Sequence, residues 1–255
     1  MQIVGYDRGG EKGSQPALLI AQDGTVECEP LSPGRELSYV LGERRCAGSV
    51  DGDRHRRCSN PGTPYCPVHD STWVCARCTG TCLKAEMDCH TEHAIYLAAF
   101  APSTFKVGVT GRSNPLVRLR EQGADRGAIV RRVKDGRIAR EIEADIAAST
   151  PVPDSVRVET KIKGLGRSVD ETAWDRLLEG FEVNSVHEFE YNLHLDSTPI
   201  VETLASGTVL GTKGRIIVLK RGGERFAVDM RSLVGYDVRQ GTTSRDLQSS
   251  LGSFE

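Results

Sequence analysis

Apolar and polar positions alternate at the two ends of this chain and recur at helical spacing only in its middle. "PALLIA", "TVECEPL" and "ELSYVL" in the first 45 residues, each broken by Gly, Pro or Asp, predict short strands. Cys28 shares a face with Val26 there and reads as a core thiol. "RIIVLK" and "ERFAVDM", either side of Arg221-Gly222-Gly223, predict a hairpin within a second β segment at 183–240. Between them lie "AIYLAAF" and "FKVGVT", two strands around the turn Ala101-Pro102-Ser103. Asn114-Pro115 then suits an N-cap followed by a first helical position, "LVRLREQ" makes two turns, and Gly123 is placed to end them. In "GRIAREIEADIAA", Ile138, Ile142 and Ile146 predict a buried helical stripe beside Ala139. After the loop "TPVPDS", Ser168 and Glu171 form a capping-box pattern for a helix closed by Gly180, with Ala173, Trp174, Leu177 and Leu178 on one face.

The expectation is an α+β protein. A small mixed sheet with flanking helices forms the centre, zinc-binding modules precede it, and β segments lie at the N- and C-terminal ends. The boundaries are 1–45 (β), 46–93 (two zinc modules), 94–150 (core), 151–182 (linker and helix), 183–240 (β) and 241–255 (a loose polar tail). The start, "MQIVGYDRGG", carries no apolar leader and no run is long enough to span a membrane, so the expected setting is the cytoplasm. A reducing compartment disfavours disulfides, and eight cysteines then need another explanation.

Seven of them fall in 46–93, a stretch rich in turn formers and too poor in apolar pattern to order itself without a cross-link. Cys46, Cys58, Cys66 and His69 make a Cys-x11-Cys-x7-Cys-x2-His set, three thiolates and an imidazole that suit a closed tetrahedral zinc site. The stretch "RRCSNPGTPYCPVH" resembles a widespread mini zinc motif, and His55 reads as a loop residue beside it. "CARCTGTCLKAEMDCHTEH" offers a second set from Cys75, Cys78, Cys82, Cys89, His90 and His93. Either Cys75, Cys82, Cys89 and His93, or the Cys75-Cys78 knuckle with Cys89 and His93, would complete it. The Cys-x2-Cys could also serve redox chemistry, but no βαβ context surrounds it. Two structural zinc ions are expected.

Charge changes the picture once more. The chain's net charge is −2, yet Lys106 to Arg140 carries ten basic residues against three acidic ones. Such an excess predicts an anionic partner. Lys106, Arg112, Arg118, Arg120, Arg131 and Arg132 are the candidates for a phosphate-binding face.

Residues 94 to 148 add a chemical pattern: "A-I-Y" and "K-V-G" on paired strands, then an Arg on one helix and a Glu on the next. This resembles the GIY-YIG nuclease superfamily, especially its branch whose second motif reads Lys-Ile-Gly-x-Thr. The whole chain also resembles an archaeal and bacterial family known as domain of unknown function 2797, which places cysteines before such a core and a "GTKGR"-like β segment after it. The resemblance implies that Tyr96 lies near an attacking water, that Gly108 stands where a side chain would crowd the site, and that Arg118 holds the scissile phosphate. Glu143, with Glu141 in reserve, would bind a divalent Mg2+ or Mn2+; helical geometry does not decide between the two. Ala94 replaces the Gly of the first motif, Lys106 replaces the Tyr of the second, and Gln122 stands where many relatives have His. Phosphodiester chemistry needs charge stabilisation, which Arg and a metal provide; Tyr, with a pKa near ~10, needs help from the metal or from Lys106 to act as a base. The expected function is a zinc-containing protein that binds nucleic acid, RNA or DNA, through a catalytically silent core. The alternative is an active metal-dependent phosphodiesterase.

Overall fold

The computed structural model describes residues 1–9, 15–70, 89–111 and 113–241. The chain divides into two compact units. One joins Met1–Asp70 to Tyr191–Glu255, and the other is Ser71–Glu190.

The first unit is one antiparallel-dominated sheet of eleven strands drawn from both ends of the chain. From the N-terminal side come β1 (Gln2–Asp7), β2 (Ala17–Gln22), β3 (Thr25–Pro30), β4 (Glu36–Arg44), β5 (Ser49–Asp51) and β6 (Arg54–Arg56). The second unit supplies the next elements in chain order: β7 (His93–Phe100), β8 (Thr104–Thr110), α1 (Pro115–Glu121), β9 (Arg126–Val133), α2 (Gly136–Ser149), α3 (Val158–Lys163), α4 (Glu171–Leu178) and β10 (Ser185–Glu188). The chain then returns with β11 (Ile200–Val201), β12 (Ala205–Lys213), β13 (Ile216–Arg221), β14 (Glu224–Asp229), the short α5 (Met230–Leu233) and β15 (Tyr236–Gln240).

In the first sheet the order runs β11-β14-β13-β12-β4-β15-β1-β2-β3-β6-β5, so β4 and β1 are joined through the C-terminal β15. Period-two apolar pairs explain why these runs are strands: Leu18 and Ile20, Leu37 and Tyr39, Ile217 and Leu219, Phe226 and Val228 all enter one core. Burying each such side chain is worth about 1.5–3 kcal/mol before the entropy of ordering it. Gly222 and Gly223, both at positive φ, close the β13–β14 hairpin as the sequence pattern predicts. Cys28 corrects its reading as a core thiol: it is exposed, although Val26 on the same face packs, half-buried, against a small cluster of Val4, Ala21, Ala47 and Val234.

The second unit is an α+β assembly around a four-stranded sheet of order β10-β9-β7-β8. Every pairing in it is antiparallel, so the sheet is not mixed. "AIYLAAF" is a continuous apolar run because β7 is an interior strand covered on both faces. Ile95, Leu97 and Ala99 join Val107, Val109, Ala139, Val152 and Trp174 in one core. On the other face α1 settles through Leu119 onto Gly127, where an added Cβ would fall 2.5 Å from the leucine. Asn114 caps α1 by accepting from Leu116 N at 3.0 Å, and Gly123 follows it at positive φ.

Two helix details differ from the sequence reading. Ile138 is 43% exposed, whereas Ala139 and Glu143 are the buried positions of α2 with Ile142 and Ile146 beside them. The buried stripe is therefore rotated by one residue and contains a carboxylate. Asp170, not Ser168, caps α4 by accepting from Ala173 N at 3.0 Å. Among the described residues no helix is long and apolar enough to cross a membrane.

Candidate functional site: a Cys3His cluster and a polar centre on the core sheet

The first unit brings Cys46, Cys58, Cys66 and His69 together, with one donor atom from each lying within 4.8 Å of all the others. The His69 Nδ1 sits 3.4 Å from Cys46 Sγ and 3.3 Å from Cys66 Sγ. The loop reaches this shape through main-chain bonds: Cys46 N donates to Asn60 O at 2.9 Å, Ala47 N to Pro64 O at 2.9 Å, and His69 N to Cys66 O at 2.8 Å. Gly48 must be glycine, since a Cβ there would lie 2.1 Å from Arg56 O. Burial pushes the Cys46 thiol up. Burial also raises Cys66, but hydrogen bonds from the His69 ring and the Val68 and His69 backbone outweigh it and lower that thiol to about 6. Backbone N–H groups of Cys66 and Gly48 point at Cys46 Sγ, at 3.2 and 3.4 Å, as donors to a developing thiolate. Three sulfurs and one imidazole at this spacing fit Zn2+, whose Zn–S bonds of about 2.3 Å put tetrahedral ligands roughly 3.8 Å apart. His55 is no ligand; its Nε2 lies 2.8 Å from Ala47 O.

Of the second predicted cluster, Cys75, Cys78 and Cys82 lie outside the described residues. Cys89, His90 and His93 stand near the N-terminus of α2. Cys89 O accepts from Gly136 N at 2.6 Å, His90 Nδ1 lies 3.5 Å from Asp135 Oδ2, and the His93 ring packs where a Cβ at Gly136 would be 2.8 Å away.

The second unit gathers Tyr96, Lys106, Gly108, Arg118, Gln122 and Glu143 around the β7–β8 pair. Tyr96 opposes Gly108 in register, and Ala98 opposes Lys106. Tyr96 is only 1% exposed, and its ring fills the space over Gly108, where a Cβ would lie 2.5 Å from the ring and the hydroxyl. The glycine thus clears room for the tyrosine itself. A bulge between Ile95 and Tyr96 in the β7–β9 pairing turns the strand at this point. Leu119, seated on Gly127, fixes the rotation of α1 that brings Arg118 and Gln122 to the Tyr96 hydroxyl. Gln122 Nε2 donates to Tyr96 Oη, and the Arg118 charge lies near the same oxygen. Lys161 Nζ holds the end of α1 by donating to Gln122 O at 2.9 Å.

On the other side of β8, Pro153 O accepts from Val107 N at 3.0 Å, which pins the loop carrying Asp154 next to Lys106. Burial pushes the Lys106 ammonium down to about 8, with Arg118 and Arg140 adding to the fall while Glu143 and Asp154 oppose it. Burial raises Glu143, against the pull of its Arg140 partner and of Lys106. Burial raises Tyr96, with Arg118 opposing. Glu143 is 7% exposed, whereas Glu141 is exposed and only loosely paired with Arg137 at 3.9 Å. Packing therefore distinguishes the two glutamates that helical periodicity left equal.

The predicted basic face is less uniform than its composition. Arg118 pairs with Glu121 at 3.3 Å, Arg126 with Glu171 and Glu188 at 2.5 and 2.7 Å, and Arg132 with Glu92 at 2.8 Å. Arg120 lies over the Phe189 ring at 5.4 Å. Arg131 and Arg132 are neighbours on β9, so they project to opposite faces. Arg112 lies outside the described residues.

Glu121, Arg140 and Asp154 were missed by sequence reasoning. The first two form i,i+3 pairs with Arg118 and Glu143, a spacing that could have revealed them. Nothing in the sequence marks Asp154, which a main-chain bond between distant segments puts in place. No curated protein and no solved structure matches the chain. A family model, described as "Protein of unknown function (DUF2797)", matches residues 64–238, which take in the end of the zinc cluster, the whole core and most of the C-terminal strands, and the chain belongs to that family.

Proposed function

We propose that the chain binds nucleic acid, with the centre on β7, β8 and α1 as the seat of a backbone phosphodiester and the Cys3His cluster as a structural zinc site. The observation that carries this reading is two cations on the Tyr96 face of the sheet: Arg118 next to the Tyr96 hydroxyl, and Lys106, opposite Ala98, within the electrostatic reach of Arg118. Arg118 keeps 38% of its side chain exposed, so the guanidinium can reach a ligand while its Glu121 partner stays behind it. Arg120 on α1 and Arg132, which shares a face of the sheet with Ala94 and Tyr96, would extend the contact.

Hydrolysis is the second reading, favoured by the approach of Glu143 to the same group. A hard divalent cation such as Mg2+ or Mn2+ suits a carboxylate site. Glu143 would hold it, with Asp154 as the nearest second carboxylate, in exchange for the Arg140 pair. In that reaction a water oxygen joins the phosphorus, one P–O ester bond breaks, and a proton goes to the leaving oxygen. Labelled RNA and DNA oligonucleotides, incubated with the zinc-loaded protein with and without Mg2+ or Mn2+, test both readings. Salt-sensitive binding without products supports the first, and cleavage abolished by Glu143→Gln supports the second. No binding at low salt contradicts both.

A further inference from the structure

The phenol oxygen of Tyr96 has two lone pairs and one hydrogen. Gln122 Nε2 donates to it, and the Arg118 charge lies beside it. No acceptor for the phenol hydrogen is found among the described residues. Tyr96 is 1% exposed, and a buried O–H with no acceptor is uncommon enough in folded proteins to need an explanation. The ring cannot swing to find one, because it is wedged over Gly108 and held at its tip by α1.

We propose that Tyr96 is a hydrogen-bond donor to a non-bridging phosphate oxygen of the bound nucleic acid, and that Gln122 is the positioning residue that commits it to donation. This rests on the reading of the centre as a phosphodiester seat. Gln122 has the right chemistry for the task. Its amide N–H occupies the acceptor side of the phenol and turns the hydrogen outward, and Lys161 anchors its main chain at the end of α1. In either reading of the function, Tyr96 binds the phosphate through its hydroxyl hydrogen.

The test is fluorescence-anisotropy titration of zinc-loaded protein with labelled single-stranded RNA and DNA, alongside thermal melts. Tyr96→Phe keeps the ring over Gly108 and removes only the donor. Its affinity should fall about 10-fold or more, the range for a hydrogen bond to a charged group. Gln122→Glu offers an acceptor where a donor stood, captures the phenol hydrogen, and should cost a similar factor. Gln122→His retains an N–H donor and should stay within about 3-fold of the parent, whereas a purely structural Gln122 would tolerate Glu better than the bulkier His. If cleavage occurs, Tyr96→Phe should act mainly through KM. Unchanged affinity in Tyr96→Phe, or loss confined to kcat, would overturn the donor role while leaving the phosphodiester seat standing. A parent that binds no oligonucleotide at low salt removes both.

Discussion

The zinc cluster and the core centre are built in opposite ways. In the cluster, Cys46, Cys58, Cys66 and His69 crowd four donors within 4.8 Å of one another, and two of those donors face the same imidazole nitrogen. Such a group is relieved only when an ion sits among its members. In the core centre each charge already has a protein partner: Arg118 has Glu121, Arg140 has Glu143, and Lys106 lies within the field of Glu143 and Asp154. With zinc bound as proposed, the first completes its fold only through its ligand. The second is complete as a fold, and a ligand must compete with internal pairs. Metal removal should therefore act on stability, and changes in the core should act mainly on binding.

The largest effect is expected where the ligand belongs to the fold. Cys66→Ser, or stripping zinc with a strong chelator, should lower the Tm of the first unit by more than about 10 °C, because binding free energy there is also folding free energy. Metal analysis of the parent should find zinc in the cluster. A parent that folds equally well without zinc would erase the contrast between the two centres.

Next comes a position in the core centre where a change should act on stability. Gly108→Ala forces a Cβ to within 2.5 Å of the Tyr96 ring and should cost about 1–3 kcal/mol, read as a fall in Tm. Glu141→Ala, on the exposed face of the same unit, should stay within about 0.5 kcal/mol. Equal effects would mean that the close approach of Tyr96 to Gly108 is not maintained in solution.

How these positions relate to the sequence explains where legibility ends. The Cys3His group was readable because all four residues lie within one short segment and their metal-binding chemistry shows in spacing alone. Tyr96 and Gly108 were readable as a pair because two adjacent strands fix their register. Gln122 was visible only as a departure from a family pattern, since its bond to Tyr96 depends on how α1 rotates over Gly127. β9 was missed because arginines flank its short apolar stretch "GAIV" and disguise an interior strand. Ile138 misled the helix reading because three isoleucines at i, i+4 and i+8 outweighed the buried Glu143, and apolar counting has no place for a carboxylate held by Arg140 and Lys106.

A smaller effect separates the centres by pH. The folded pKa of Lys106, about 8, lies below its unfolded value, so the folded state binds fewer protons than the unfolded state between about 8 and 10.5. Stability from this group should rise with pH through that window. Affinity for nucleic acid should move the other way, falling as the free centre loses its ammonium charge above about 8. Lys106→Met should flatten both trends. The smallest effect belongs to the strand arginines. Arg132→Ala should reduce the salt slope of binding by about 1 after its Glu92 pair is displaced, and Arg131→Ala by less, because Arg131 opposes Ile95 and so lies on the face of the sheet away from Tyr96.

The most direct measurement compares nucleic-acid affinity of the zinc-loaded parent with that of an Arg118→Met/Lys106→Met double variant, at low salt and at about 200 mM salt, on the same labelled RNA and DNA. The expected result is parent binding that weakens steeply with salt, a loss of at least about 10-fold in the double variant, and unchanged zinc content in both. Binding that is absent in the parent, or equal in the two proteins, would contradict a phosphodiester seat at this centre.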